Sequence, residues 1–270
     1  MLDLDIFLFP FFQKTLFVGF LIGIVAPLIG VFIVLRRLSM IGDALSHVSI
    51  AGVALGFIIE VYPLALGIVF ALIASFAIEK LRKAYPSYAE LSIAIIMSGG
   101  IAFASVLFTS GKGFNINVQD YLFGSIVALN TADIWIVFAV TLIVITFVVI
   151  SYKELFLVTL DEDAASVSGL STRLYNILIT TLTALVISVV IKIVGALLVS
   201  ALITIPVACS LVVGKSFRHT MWMAIIFSEI AMMGGLIIAG IWNFAPGGTV
   251  VLLSIALLML SFLFSRKKSL

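Results

Sequence analysis

A carboxylate and an imidazole stand four residues apart at the edge of a hydrophobic run, as Asp43 and His47 in the stretch RRLSMIGDALSHVSIAG, residues 36–52. On a helix, positions i and i+4 are about 40° apart around the axis and about 6 Å apart along it, so both side chains point to one side. Together they would supply half of a site for a divalent transition metal such as zinc or manganese. Two ligands alone do not complete such a site. The same spacing also suits an Asp–His hydrogen bond that caps or fixes the start of a helix.

A third candidate ligand, Glu229, lies in the hydrophobic stretch AIIFSEIAMMGGL. Counted from the ends of the hydrophobic runs, Glu229 is predicted at a depth similar to that of Asp43 and His47. A carboxylate buried in hydrocarbon needs a cation, a proton or water to offset its desolvation. The residue is therefore predicted to be either a third metal ligand or gate, or a protonated carboxyl bonded to a neighbouring helix.

The elements that must position these residues are membrane helices. Of the 270 residues, 63% are hydrophobic and only 10% are charged, and the mean hydropathy is +1.36. Hydrophobic runs of about 18 residues recur along the chain, and each can cross roughly 30 Å of hydrocarbon as a helix. Long continuous runs favour helices over barrel strands, which alternate in polarity. The predicted fold class is an all-α polytopic membrane protein, with residues 1–270 in a single transmembrane domain.

Nine hydrophobic runs are candidate spans, with bounds good to a few residues: 16–35, 44–59, 63–78, 91–109, 133–150, 175–191, 194–213, 221–241 and 248–264. If they alternate, twelve basic residues of the connections fall on one side and only Lys14, Lys112 and Lys192 on the other. The positive-inside rule makes the first side cytoplasmic. The N-terminus is then predicted outside the cell and the C-terminus inside, with the chain in the cell membrane.

Two places make eight spans the alternative count. Lys192 splits a long run at 175–213, and the segment YLFGSIVAL within 111–132 is too short to span and is predicted to be re-entrant or interfacial.

The polar connection at residues 160–176, LDEDAASVSGLSTRLYN, is the most distinctive loop of the chain. Asp161, Glu162 and Asp163 suit the first turn of a helix, where acidic groups favour the helix dipole. Ala164 and Ala165 follow, and then Gly169. The pattern predicts either a short cytoplasmic helix that docks into a partner or a surface loop with none. Since no GxxxxGK[ST] loop occurs in the chain, any ATP would be bound by another subunit.

Together these segments resemble the integral-membrane permeases of bacterial zinc and manganese ABC importers. The block Gly42-Asp43-Ala44-Leu45-Ser46-His47 after a basic pair is similar to the family's most recognisable block, and residues 161–172 are similar to its coupling segment. QDYLFGSIVAL (119–129), GALLVSALITIPVA (195–208) and FAPGGTVVLL (244–253) follow the order of less specific family blocks.

The resemblance implies a type II ABC-importer-like permease that is a homodimer and has no catalytic residues of its own. Two cytoplasmic ATPase subunits and an extracellular metal-binding protein would be its partners, and no resident cofactor or nucleic acid is expected. The transported Zn²⁺, favoured over Mn²⁺, would pass Asp43, His47 and Glu229 in an alternating-access cycle, with Glu229 as a ligand or a gate. Residues 161–172 would transmit ATP-driven closure.

Three other functions are compatible with parts of the pattern. The permease of a siderophore or cobalamin importer would need a wider path and no Asp–His pair. A carrier driven by an ion gradient would leave the coupling-like segment unexplained. A membrane metallohydrolase would need a fuller ligand set, such as HExxH, than two histidines provide.

Overall fold

The chain folds into helices throughout the part that the computed structural model describes, residues 4–85, 88–110, 118–125 and 129–266. A short 3₁₀ helix, Leu4–Leu8, precedes twelve α-helices. Their bounds are α1 Pro10–Leu35, α2 Ile41–Ile58, α3 Pro63–Ala84, α4 Ala89–Ser110, α5 Val118–Phe123, α6 Thr131–Ile150, α7 Tyr152–Leu160, α8 Glu162–Val167, α9 Thr172–Val194, α10 Val199–Val213, α11 Phe217–Trp242 and α12 Pro246–Arg266. The predicted all-α membrane fold is confirmed.

Within the described ranges, eight helices are long and apolar enough to cross a membrane: α1, α2, α3, α4, α6, α9, α11 and α12. The seventh predicted span is α10, whose 15 residues rise only about 22 Å. It is shorter than expected because residues 195–198 form a turn before it begins. The helix still connects the two ends of the bundle, so the predicted alternation holds with eight full spans and one short one.

Contacts between distant parts of the sequence define one end of the bundle, here called the Arg36 end. The ring of Phe217, at the start of α11, lies 5.9 Å from that of Phe32 near the end of α1 and 5.0 Å from that of Phe156 on α7. Arg36 itself reaches Glu162 at the start of α8. Three of the connections that the charge count assigned to one membrane side, those that precede α2, α8 and α11, therefore lie together.

The opposite end, here called the Lys192 end, holds a correction to the sequence prediction. Lys192 was placed in a connection, but α9 continues to Val194 and the lysine is buried in its last turn. Its side chain forms an ion pair with Asp133 at the start of α6. Asp133 also accepts a hydrogen bond from the hydroxyl of Tyr62, which precedes α3. An ion pair and a hydrogen bond thus join the ends of α9, α6 and α3, and the lysine that was predicted in a connection belongs to a helix.

The turn between α9 and α10 is stabilised by the short helix α5, which the sequence predicted to be re-entrant or interfacial. The backbone N–H of Ala196 donates to the carbonyl of Tyr121 at 2.9 Å, and that of Leu197 donates to the carbonyl of Leu122 at 3.3 Å. Gly124, at φ +82°, allows the close approach because a Cβ there would collide with the carbonyl of Ile193. Irregular backbone in a membrane bundle needs such partners, since lipid offers none.

Two exposed tryptophans on α11 indicate where the bilayer surfaces lie. Trp222 and Trp242 are both exposed and stand twenty residues apart, which on a helix is about 30 Å, the thickness of the hydrocarbon layer. Tryptophan favours the two membrane interfaces. Trp222 therefore marks the interface at the Arg36 end and Trp242 the interface at the Lys192 end.

Candidate metal site and coupling segment

Asp43 and His47 lie one turn apart at the start of α2, as predicted, and both are partly exposed. Gly52 packs against the backbone of Leu66 on α3. Because His47 is five residues earlier, it lies about 140° around the helix from that contact. The pair therefore occupies a side of α2 that faces away from α3, where a cation could reach it.

The turn before α2 fixes where this pair begins. Arg37 adopts a left-handed conformation, with φ +59°, and the N–H of Leu38 donates to the carbonyl of Ile33 at 2.9 Å. Asp43 then falls in the first turn of α2, where the helix dipole stabilises a carboxylate. No hydrogen bond joins the side chains of Asp43 and His47, so the alternative of an Asp–His bond at the helix start is not observed, and the carboxylate and imidazole are not bonded to each other.

Glu229 lies on α11, at its contact with α1. Its carboxyl group covers Gly23 of α1, where a Cβ would come within 2.7 Å of Oε1. That oxygen is buried and has no hydrogen-bond partner among the described residues.

Glu229 and the Asp43–His47 pair lie on separate helices, α11 and α2. Over the described part of the chain, no three His, Cys, Asp or Glu side chains are grouped closely enough to hold a metal. Within one chain, Asp43 and His47 are neighbours on α2, and Glu229 does not join them in a three-ligand site.

An ion pair joins the predicted coupling segment to the turn that precedes the metal-ligand candidates. Nη2 of Arg36 donates to Oε2 of Glu162 at 3.0 Å, and Nδ2 of Asn176 donates to the other carboxylate oxygen at 2.7 Å. The Arg36 side chain is 7% exposed and that of Glu162 is 46% exposed. Burial lowers the pKa of the Arg36 guanidinium, and the charge of Glu162 opposes that effect. This contact could not be predicted from the sequence, because 126 residues separate the two partners.

The coupling segment itself forms the short helix that was predicted. Asp161 caps α8, accepting a hydrogen bond from the N–H of Ala164 at 2.9 Å. Ala165 is fully buried and anchors the helix, Asp163 is exposed, and Gly169 ends the segment with φ +85°.

Val167 on this helix is a surface feature that the sequence reasoning missed. Its side chain is 91% exposed at the Arg36 end of the bundle. Leu160 and Leu174, which flank the segment, are also exposed. Apolar side chains exposed outside the hydrocarbon layer are typical of a protein-binding surface. An apolar residue in a polar, Asp-rich loop was the available signal.

Comparison with known proteins gives a consistent result over nearly the whole chain. The manganese import system permease protein ScaB of Streptococcus gordonii is 31% identical over 96% of this chain and 93% of its own length. The high-affinity zinc uptake system membrane protein ZnuB of Haemophilus influenzae is 29% identical over 97% of this chain and 100% of its own. Among solved structures, PsaBC from Streptococcus pneumoniae in complex with Fab superposes with a TM-score of 0.85 at 29% identity, over 96% of this chain and 93% of that one. The model of the ABC 3 transport family matches residues 8–265, and this multi-pass membrane protein belongs to that family.

Proposed function

We propose that this chain is the permease subunit of an ATP-driven importer of a divalent transition metal. The observation that carries the proposal is the link between two candidate sites at the Arg36 end. A partly exposed carboxylate–imidazole pair begins α2, and the turn before it is bonded through Arg36 to Glu162 of the coupling segment. Movement of α8 by a partner would be transmitted directly to the helix that holds the cation.

A second copy of the chain would complete the ligand set. One chain offers two ligands, whereas zinc and manganese sites need at least three or four. In a homodimer with a two-fold axis beside the exposed side of α2, two Asp43 and two His47 side chains would converge. Such a set of hard and intermediate ligands, with no thiolate, binds weakly enough to release its cargo. Glu229 is assigned to a gate over Gly23, separate from that set.

Both Zn²⁺ and Mn²⁺ suit a carboxylate–imidazole set, and relatives named for each metal match this chain. Zinc, which the sequence resemblance favoured, is proposed as the first cargo and manganese as the second. The Arg36 end is proposed to be cytoplasmic and to bind the two ATPase subunits. The Lys192 end would face the extracellular metal-binding protein.

Metal uptake by a strain lacking the chromosomal copy tests the ligand assignment. Asp43→Ala and His47→Ala are each expected to abolish uptake of radiolabelled zinc or manganese at normal expression. The chain supplies matched controls: Glu90→Ala removes an exposed carboxylate from the first turn of α4, and His219→Ala removes the other histidine. Normal uptake by both ligand variants in chelated medium would contradict the proposed site.

The same cells separate the alternatives for the energy source and cargo. Uptake that persists without the ATPase subunit and stops when the ion gradient is dissipated would indicate a secondary carrier. Uptake of a ferric siderophore or of cobalamin, with no free metal transported, would indicate the related larger-cargo importer.

Co-purification with the ATPase tests the docking surface. Gly169→Arg is expected to abolish the complex, whereas Gly169→Asn, a residue that tolerates positive φ, should preserve it. Val167→Asp should weaken the complex roughly tenfold, as loss of one central apolar contact does. Ser166→Asp is the neighbouring control. An intact complex in Gly169→Arg and Val167→Asp would contradict the coupling assignment.

A further inference from the structure

A groove between α6 and α11 is not used by the proposed transport mechanism. Both helices pack on α1 and leave a cavity of about 560 Å³ between them. Ile24 and Leu28 of α1 form its floor, and Val149 and Ile225 belong to its two walls. Val149 is exposed, so the groove opens sideways to the surroundings of the bundle. The volume falls within the range of sites that hold a small ligand.

One end of this groove is polar and lies at the membrane surface. Arg218 and Tyr152 line the groove together with Trp222, which marks the interface at the Arg36 end. Arg218 is one turn, about 6 Å, beyond Trp222 along α11 and so lies at the level of the lipid headgroups. The remainder of the groove extends into the hydrocarbon layer, where Ile24 and Ile225 lie.

The mouth of the groove carries unneutralised positive charge. Arg218 is the one charged side chain lining the groove, and Lys153 and Lys215 are exposed neighbours in the chain of Tyr152 and Arg218. None of these three cations forms an ion pair with a residue of the described ranges. Basic pockets between membrane helices at a cytoplasmic surface are suited to the headgroups of anionic lipids.

We propose that this groove binds one anionic phospholipid. An acyl chain lies on α1 between α6 and α11, and the lipid phosphate pairs with the guanidinium of Arg218. The hydroxyl of Tyr152, which forms no hydrogen bond with a described residue, is available as a second donor. The apolar walls of the groove suit an acyl chain, and the guanidinium of Arg218 at headgroup level suits a negatively charged headgroup. An apolar helix of a second copy of the chain could cover the walls of the groove, but it would leave the charge of Arg218 unpaired.

The lipid would occupy the junction of three helices that matter for transport. The floor belongs to α1, which ends at Arg36, and one wall continues into α7 and the coupling segment. Filling the groove therefore supports the Arg36 end of the bundle. Binding itself depends on the groove alone and does not depend on which cargo the protein carries.

Native mass spectrometry of the full-length delipidated protein, titrated with phosphatidylglycerol or phosphatidylcholine, tests the headgroup assignment. The wild type is expected to retain one phosphatidylglycerol with clear preference over phosphatidylcholine. Arg218→Gln should weaken phosphatidylglycerol binding about fivefold, the contribution of one basic residue at an anionic surface. Arg173→Gln, which removes an exposed arginine outside the groove, should leave it unchanged. Equal binding of the two lipids by the wild type, or equal effects of the two substitutions, would overturn the proposal.

A second pair of variants tests the acyl-chain assignment without altering charge. Val149→Trp places a large side chain in the groove, whereas Ile150→Trp alters the next exposed position, which does not line the groove. Only Val149→Trp is expected to lose the bound lipid. Loss in both variants, retention in both, or a dimer whose formation displaces the lipid would show that the groove is not a lipid site.

Discussion

The buried ion pair at the Lys192 end gives the sharpest prediction for stability. The side chain of Lys192 is 8% exposed and that of Asp133 is 1% exposed. Lys192→Met would leave the carboxylate of Asp133 without its cation, although Tyr62 and the N–H of Asn130 still donate to it. Removing one partner of a buried pair costs about 3–5 kcal/mol. For a chain of this size, such a loss lowers the melting temperature by roughly 6–20 °C.

Thermal denaturation of the purified protein in detergent measures this effect, with Lys192→Met, Asp133→Asn and the double variant compared. The oxygen of the asparagine can still accept from the N–H of Asn130, and its NH₂ group can donate to the Tyr62 hydroxyl. Because no buried charge is then left unpaired, the double variant should recover most of the lost stability. Lys80→Met is the control, since Lys80 is exposed and should matter by less than about 0.5 kcal/mol. If Lys192→Met is as mild as Lys80→Met, or if the double variant is as unstable as the sum of the singles, the pair does not stabilise this end as argued.

Two further predictions concern the Arg36 end and the buried Glu229. Arg36→Gln or Glu162→Gln should cost only about 1–2 kcal/mol, because Glu162 is 46% exposed and solvent screens its charge, yet should uncouple ATP hydrolysis from metal uptake. The exchanged pair Arg36→Glu/Glu162→Arg should restore uptake, and failure of every combination to alter coupling would contradict the link. Gly23→Ala should force the Glu229 carboxyl from its place at a cost of about 1–3 kcal/mol and reduce uptake, whereas Gly99→Ala, with open space at its Cβ, should be neutral. Identical uptake by the two alanine variants, measured at equal expression, would remove the gating role from Glu229.

The sequence was sufficient for features that depend on local spacing. Asp43 and His47 lie on one side of a helix because four residues on a helix make about one turn, whatever surrounds it. The coupling segment likewise formed a short helix because Asp161 can cap it without help from distant residues. Of the nine hydrophobic runs predicted as spans, eight are full-length helices in the part of the chain that the structure describes, and the run at α10 is short.

The sequence was insufficient where distant residues meet. Lys192 looked like a break in a span because hydropathy does not reveal that Asp133, 59 residues away, neutralises it. The contact between Arg36 and Glu162 was hidden for the same reason. Run lengths likewise did not show that the Glu229 carboxyl packs on Gly23 of α1.

The contact between α5 and the α9–α10 turn has a consequence for the order in which the protein enters the membrane. The ribosome synthesises Tyr121 and Leu122 before α6 to α9. Ala196 and Leu197, whose N–H groups donate to their carbonyls, are synthesised only after α9. Unpaired backbone groups in hydrocarbon cost several kcal/mol each, so neither segment is stable at depth without the other. We therefore expect α5 to reach its final position only after the α9–α10 turn has been made. Closure of the Lys192 end is consequently a late step of biogenesis, after α9 has left the translocon.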